Sequence, residues 1–297
     1  MTSTKVIWFD VNLDKWEYDW ISELLEDIET EIIVTNTFEN LPPLENCVVV
    51  CNHAVNYRAY LDALRRNGNQ YGVILLSDEN VMEPMEYVHD PNCKFVARNY
   101  FHPFYHLHPK VFVFGLGYKT GFTKVDDEFK TFKNRELDWC FAGSVHNDKR
   151  KEAIEKFKNY SGDYKLHTCS GFNATDGLST EEYRKLLNNC KFALCPQGQE
   201  NMDSFRIYEA LEAGAIPVTI KYSQHMIIEP SYWHAIFYGD LNLPFVIGAD
   251  WDDAVNQLKN LKIQDCEKMQ SNCQAFWSRW KTTWKTKFSK NIKLLRR

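Results

Sequence analysis

The sequence predicts an α/β protein made of two successive parallel-sheet halves, and three observations carry that expectation. Short apolar runs alternate with amphipathic segments from Lys5 to Phe114. The stretch Lys119–Arg135 is polar, charged and without a sustained period, as an interdomain linker would be. The alternation then restarts at Leu137. Alternating elements of this kind form a parallel sheet covered on both faces.

In the first half, Lys5–Phe9, Glu31–Thr35, Cys47–Cys51, Tyr71–Leu76, Lys94–Ala97 and Val111–Phe114 read as strands, the second to fourth of them buried. Trp16–Ile28 has helical apolar spacing through Trp20, Ile21, Leu24 and Leu25, and Asn56–Arg66 reads as a helix stopped by Asn67-Gly68. In the second half, Leu137–Ala142, Lys165–Cys169, Phe192–Leu194, Ile216–Ile220 and a segment near Ala235–Tyr238 read as strands. Asp148–Lys158 and Asp252–Leu261 read as helices, and Ser179-Thr180-Glu181-Glu182 offers a capping box for a helix through Asn189. The simplest architecture is two Rossmann-like domains facing a central cleft, with ligand at the carboxyl ends of the strands. The expected divisions are 1–130, 131–275 and a C-terminal amphipathic helix over 276–297 that crosses back onto the first domain.

The chain has 297 residues, 44% of them hydrophobic, which is enough to fill two modest cores. Its net charge of −5 argues against a general nucleic-acid binder. Nine cysteines without a CxxC pair argue against a zinc knuckle or redox motif and fit a reducing compartment. Residues 1–30 lack a signal pattern, and no apolar window approaches the ~20 residues a membrane span requires. A cytoplasmic location is therefore expected.

The most informative stretch runs from Cys195 to Val218 (CPQGQENMDSFRIYEALEAGAIPV). It reads as strand, loop, short helix and strand. Asp203 or Ser204 supplies an N-cap, Gly214 follows the last apolar position, and Pro217 blocks continuation. A helix opening onto a polar loop favours anions, because unpaired N–H groups and the dipole both attract phosphate. Arg206 in the first turn offers a fork of donors to phosphate oxygens, and Glu209 one turn later offers acceptors to a pair of ribose hydroxyls. The chemistry implied is recognition of a nucleoside diphosphate carrying a sugar.

This run resembles the C-terminal signature of the exostosin-type glycosyltransferases, where a Cys-Pro-x-Gly loop precedes Asp-Ser-Phe-Arg-x-Tyr-Glu-Ala and Ala-Gly-x-Ile-Pro-Val. The resemblance is dense over about 25 residues. It implies an inverting enzyme of the GT-B architecture whose C-terminal domain holds the donor. Similar proteins include exostosin-like xylosyltransferases, some encoded by large algal viruses, so UDP-xylose is the first donor expected. Carried onto this chain, the donor-binding residues are Pro196, Gly198, Ser204, Phe205, Arg206 and Glu209, with Gly143, Ser144 and Arg150 (or Lys149) at a second strand-to-helix turn. Leu116–Phe122 resembles a segment flanking the cleft. Many members carry an N-terminal membrane anchor that is not seen here. The acceptor is a glycan or glycoprotein, and neither metal nor other cofactor is expected.

Inverting transfer needs a base for the acceptor hydroxyl and charge stabilisation for the departing diphosphate. Three places in the first half put a titratable group just after a strand: Asp10, His53, and the pair Asp78-Glu79, the last resembling a Ser-Asp-Glu motif of the family. Arg98-Asn99 also ends a strand, resembles a family segment, and is a candidate for acceptor binding. The competing readings are a sugar-nucleotide epimerase or hydrolase on the same scaffold, and a nucleotide-sugar-binding protein without turnover.

Two features are read structurally. Asp250-Trp251-Asp252 is formally a metal-binding DxD, but it precedes a helix and suits capping. His102 and His106 have helical ligand spacing, which Pro103 interrupts. The tail presents Phe276, Trp280, Trp284, Phe288, Ile292 and Leu295 as one apolar stripe, flanked by basic residues. Packing onto the protein is favoured for the stripe, with peripheral membrane contact the alternative for the basic ends.

Overall fold

A computed structural model describes residues 3–9, 16–35, 43–52, 57–102, 104–124, 128–160, 162–221, 232–237 and 242–296. The chain divides into two compact units. One comprises Met1–Leu116 with Lys281–Arg297, and the other Gly117–Trp280. These boundaries differ from the expected divisions at 130/131 and 275/276.

The first unit contains β1 (Thr4–Phe9), α1 (Tyr18–Leu24), β2 (Thr30–Thr35), β3 (Cys47–Asn52), α2 (Arg58–Arg66), β4 (Tyr71–Leu76), β5 (Cys93–Arg98) and β6 (Val111–Val113). The six strands form one sheet in the order β2-β1-β3-β4-β5-β6, and every neighbouring pair is parallel. All six residues of β4 are buried, as a central strand covered on both faces requires. β2 departs from the expected buried strand. Among the described residues it is the sheet edge, paired with β1 alone, and most of it is partly or fully exposed.

The second unit contains β7 (Leu137–Ser144), α3 (Asp148–Lys158), β8 (Tyr164–Cys169), α4 (Thr180–Asn188), β9 (Cys190–Leu194), α5 (Phe205–Glu212), β10 (Ile216–Ile220), α6 (Tyr232–Ile236), β11 (Val246–Gly248) and α7 (Trp251–Asn260). Its five strands, again all parallel, run β11-β10-β9-β7-β8. The strand expected near Ala235–Tyr238 is corrected: Tyr232–Ile236 is a short helix, and the edge strand of this sheet is β11 instead.

The capping box at Ser179 forms as expected. Glu182 N–H donates to Ser179 Oγ at 3.2 Å, while Ser179 N–H donates to the Glu182 carboxylate at 2.8 Å. Asp250 likewise caps α7, accepting from Asp253 N–H at 2.8 Å. Asp252 pairs with Lys156 at 2.6 Å and Asp253 accepts from Ala249 N–H at 2.7 Å, so these acids organise a helix start.

The last helix, α8 (Ile263–Ile292), belongs to the second unit up to Trp280 and to the first from Lys281. The whole aromatic stripe is buried. Within the first unit, Phe288 meets Phe112 and Phe114 with ring centroids 5.5 and 5.3 Å apart. Basic residues of this stretch also find partners there, since Lys281 and Lys285 each lie 3.1 Å from Glu23. Among the described residues no helix is long and apolar enough to cross a membrane.

Candidate functional site

The signature follows directly on β9 and forms a loop, α5 and the start of β10, and its details explain the residue choices. α5 ends in a Schellman turn. Ala215 N–H donates to the Ala210 carbonyl and Gly214 N–H to that of Leu211, with Gly214 at φ +72°. Ser204 occupies the N-cap position with extended backbone, yet its side chain makes no capping bond. The donors of the first turn are therefore not taken up by the expected cap.

Arg206 and Glu209 follow from that helix start. Arg206 Nε donates to the Ala142 carbonyl at 3.0 Å, and its guanidinium lies over the Phe141 ring at 5.2 Å. Its terminal Nη groups make no hydrogen bond among the described residues. Gly143, at φ +144°, is what admits it, because a Cβ there would stand 1.8 Å from Arg206 Nη2. Glu209 is 5% exposed and accepts from Lys119 N–H at 3.3 Å. Burial pushes its carboxyl up to about 7, against the opposing pull of Arg206 and Lys119. A sequestered acid with a raised pKa beside a cation is costly to build, and such groups concentrate at functional sites.

The second turn, between β7 and α3, is organised differently from the expectation. Asn147 caps α3, accepting from Arg150 N–H at 2.9 Å. Arg150 is buried, and its guanidinium donates to the carbonyls of Gln197 and Ser144 at 3.0 and 2.9 Å and to Ser144 Oγ at 3.3 Å. It thereby staples the β7–α3 turn to the Cys-Pro loop. Ser144 Oγ also meets His146 Nδ1 at 3.0 Å. Burial and the nearby Arg150 and Arg206 lower the His146 pKa below its ordinary value. Lys149, in the first turn of α3, is lowered by burial. Pro196 and Gly198 are buried in the loop, where Gly198 N–H donates to the Asn201 carbonyl at 2.8 Å. Gln197 is 5% exposed, and its Oε1 has no hydrogen-bond partner among the described residues. A buried acceptor left open beside Arg150 fits a loop that completes its bonding with a ligand.

Two residues of this unit were not singled out by the sequence. Arg135, 2% exposed, donates to the carbonyls of Lys130, Leu187, Cys190 and Ala213 at 2.7–3.0 Å. It thereby satisfies orphan carbonyls at the ends of α4 and α5, and burial lowers its pKa to about 10. Phe172, on the loop after β8, is 55% exposed and stacks near Phe205, the first residue of α5, at 6.2 Å.

In the first unit the loops after β4 and β5 form one network. Asp78 and Arg98 are 1% and 0% exposed and pair at 3.0 Å. Asp78 also accepts from the backbone N–H groups of Met82 and Glu83 at 2.8 and 3.2 Å. Arg98 donates to the carbonyls of Asn99 and Tyr100 at 3.0 Å each. Asn99, fully buried, accepts from Ser77 N–H at 3.3 Å and donates to the Phe114 carbonyl at 3.5 Å. The Asp78 carboxylate is thus enclosed and engaged by Arg98 and two backbone N–H groups, while Arg98 and Asn99 brace the loop scaffold. Burial lowers the Arg98 pKa despite Asp78.

Glu79 is the acid of this motif that keeps partial exposure. Around it, Ser77, Val81 and Tyr100 hold φ of 58°, 56° and 57°. Backbone strain at three non-glycine residues persists only where the surroundings over-determine it, and such strain collects at functional loops. His102 is buried, accepts from the N–H groups of Phe104 and Tyr105 at 3.1 and 3.3 Å, and has its pKa lowered by burial. Asp10, His53 and Pro103 lie outside the described residues. No group of three His, Cys, Asp or Glu side chains with metal-binding geometry occurs among the described residues.

Two all-parallel sheets with helical crossovers make up a GT-B fold. Solved structures share this fold. HepE of Anabaena, crystallised with UDP and glucose, matches with a TM-score of 0.54 at 12% identity over 98% of this chain and 99% of that one. An alpha1,3-fucosyltransferase matches with a TM-score of 0.50 at 11% identity over 94% and 90%. A probable glycosyltransferase of Arabidopsis thaliana is 36% identical over 80 residues, which are 27% of this chain and 14% of that much longer protein. The family model described as the RXYLT1 C-terminal domain matches residues 119–295, more than half of the chain. The chain belongs to that family, within the exostosin-like glycosyltransferases.

Proposed function

We propose that this protein is a metal-independent inverting glycosyltransferase, moving a sugar from a UDP-sugar to a hydroxyl of a glycan or glycoprotein, with xylose the first donor to test. The observation that carries the reading is Glu209, enclosed one turn beyond Arg206 at a helix start whose N-cap residue, Ser204, makes no side-chain capping bond. Arg206 and the first-turn N–H groups of α5 take the diphosphate, and Glu209 accepts from ribose hydroxyls. The family membership and the fold shared with a UDP-bound structure support a nucleotide-sugar donor.

In the proposed reaction the acceptor oxygen attacks the anomeric carbon as that carbon's bond to the diphosphate oxygen breaks, which inverts the centre. The hydroxyl proton passes to a base, assigned here to Glu79. The leaving nucleoside diphosphate gains negative charge, which Arg206 and the helix dipole stabilise without a metal ion.

The test incubates purified protein with UDP-xylose, UDP-galactose and UDP-glucuronate, with and without glycan acceptors. Acceptor-dependent UDP release is expected with one donor. Consumption without acceptor would instead establish an epimerase or hydrolase, and donor-induced thermal stabilisation without turnover would establish a binding protein.

A further inference from the structure

Resting on the donor reading above, we propose that Phe172 forms the stacking platform for the nucleobase, with Phe205 behind it and Lys119 beside it. Lys119 is the residue that connects the parts. Its backbone N–H serves Glu209 at 3.3 Å, while its ammonium hydrogen-bonds Asn173 Oδ1 and lies 5.6 Å from the Phe172 ring centroid. Contacts thus link Glu209 to Lys119 and Lys119 to Phe172, while Phe172 lies near Phe205, the residue before Arg206, so the phosphate, ribose and base of one nucleotide are assigned to Arg206, Glu209 and Phe172 in turn.

The platform is also built rigidly. The loop after β8 is closed by Asp176, which accepts from Ser170 N–H at 2.9 Å and from Ser170 Oγ at 2.9 Å. His167 Nε2 meets the Asp176 carbonyl at 2.9 Å. Asn173 turns the loop tip at φ +56°, a conformation its short polar side chain tolerates. Phe172 and Phe205 are nearly parallel, at 19°. A phenyl ring 55% exposed forgoes much of its burial energy, and a pre-oriented aromatic loses little entropy when a planar ring stacks on it. Every base has a π-face, so the platform sets affinity for the nucleotide, and the Lys119 ammonium adds a donor for a base carbonyl.

The test measures UDP binding by calorimetry for the full chain and for Phe172→Ala, Phe172→Leu and Phe172→Trp. Leucine keeps apolar cover on Phe205 without a π-face, and tryptophan keeps both. The alanine and leucine variants should bind UDP about tenfold more weakly, and the tryptophan variant within about twofold of the parent. Equal affinity across all four proteins overturns the platform while leaving the donor reading intact. Weakening in the tryptophan variant equal to that in alanine also overturns it, since π-stacking is then not what was lost. Absence of UDP binding by the parent protein refutes the donor reading itself, and the platform with it.

Discussion

Replacing Glu209 by glutamine should make the protein more stable above neutral pH and less able to hold its ligand. The carboxyl is 5% exposed and titrates at about 7 instead of its ordinary 4.5, because burial penalises the charged form. The difference between the two values corresponds to about 3 kcal/mol. Its sign follows from the direction of the shift. A raised carboxyl pKa means the folded protein binds the proton more tightly than the unfolded chain. That contribution is fully present below 4.5 and disappears as pH rises through about 7. Glutamine keeps an oxygen to accept the Lys119 N–H and does not titrate. The stability difference should therefore be small near the acid end, grow between 4.5 and about 7, and level off above that at up to about 3 kcal/mol in favour of the variant. Urea unfolding of both proteins across this range measures it directly. A difference independent of pH, or a variant less stable at about pH 8, would refute the argument that Glu209 is desolvated for a purpose other than stability. UDP affinity should fall in the same variant, the trade between stability and function that active sites commonly show.

Other expectations follow from the same geometry. Arg206→Ala should weaken UDP binding by about 1.5–3 kcal/mol, roughly ten- to 150-fold in Kd by titration calorimetry, and an unchanged Kd removes it from the site. Glu79→Gln should abolish transfer while leaving UDP affinity intact, and normal turnover would shift attention to Asp10 or His53. Asp78→Asn leaves the Arg98 guanidinium buried without its counter-charge. It should cost about 3–5 kcal/mol in chemical denaturation, and a loss below about 1 kcal/mol would show that the pair is not enclosed. Gly143→Ala places a methyl group on Arg206 Nη2 in a backbone region that disfavours side chains, so UDP binding should weaken alongside a lowered Tm.

The α/β class was legible because central strands of parallel sheets are continuous apolar runs, and β3, β4 and β5 fall within a residue of where such runs stand in the sequence. Local chemistry was equally readable where few residues decide it, as in the capping box at Ser179, the N-cap at Asp250 and the turn at Gly214. Short aromatic segments were not. Tyr232–Ile236 suits strand or helix by composition, and its five residues are too few for periodicity to arbitrate. Charged residues in a polar stretch were the larger loss. Arg135 and Lys119 sit in what reads as linker, yet one clamps two helix ends and the other serves Glu209. The burial of Asp78, Arg98 and Asn99 is a pairing across separate strand ends, which no spacing along the chain reveals.

The central claim is that the start of α5 receives a nucleoside diphosphate, and a crystal structure of the protein with UDP tests it most directly. Phosphate oxygens within hydrogen-bond distance of the Arg206 guanidinium, with ribose hydroxyls on the Glu209 carboxylate, are the expected result. UDP bound away from both side chains would contradict it.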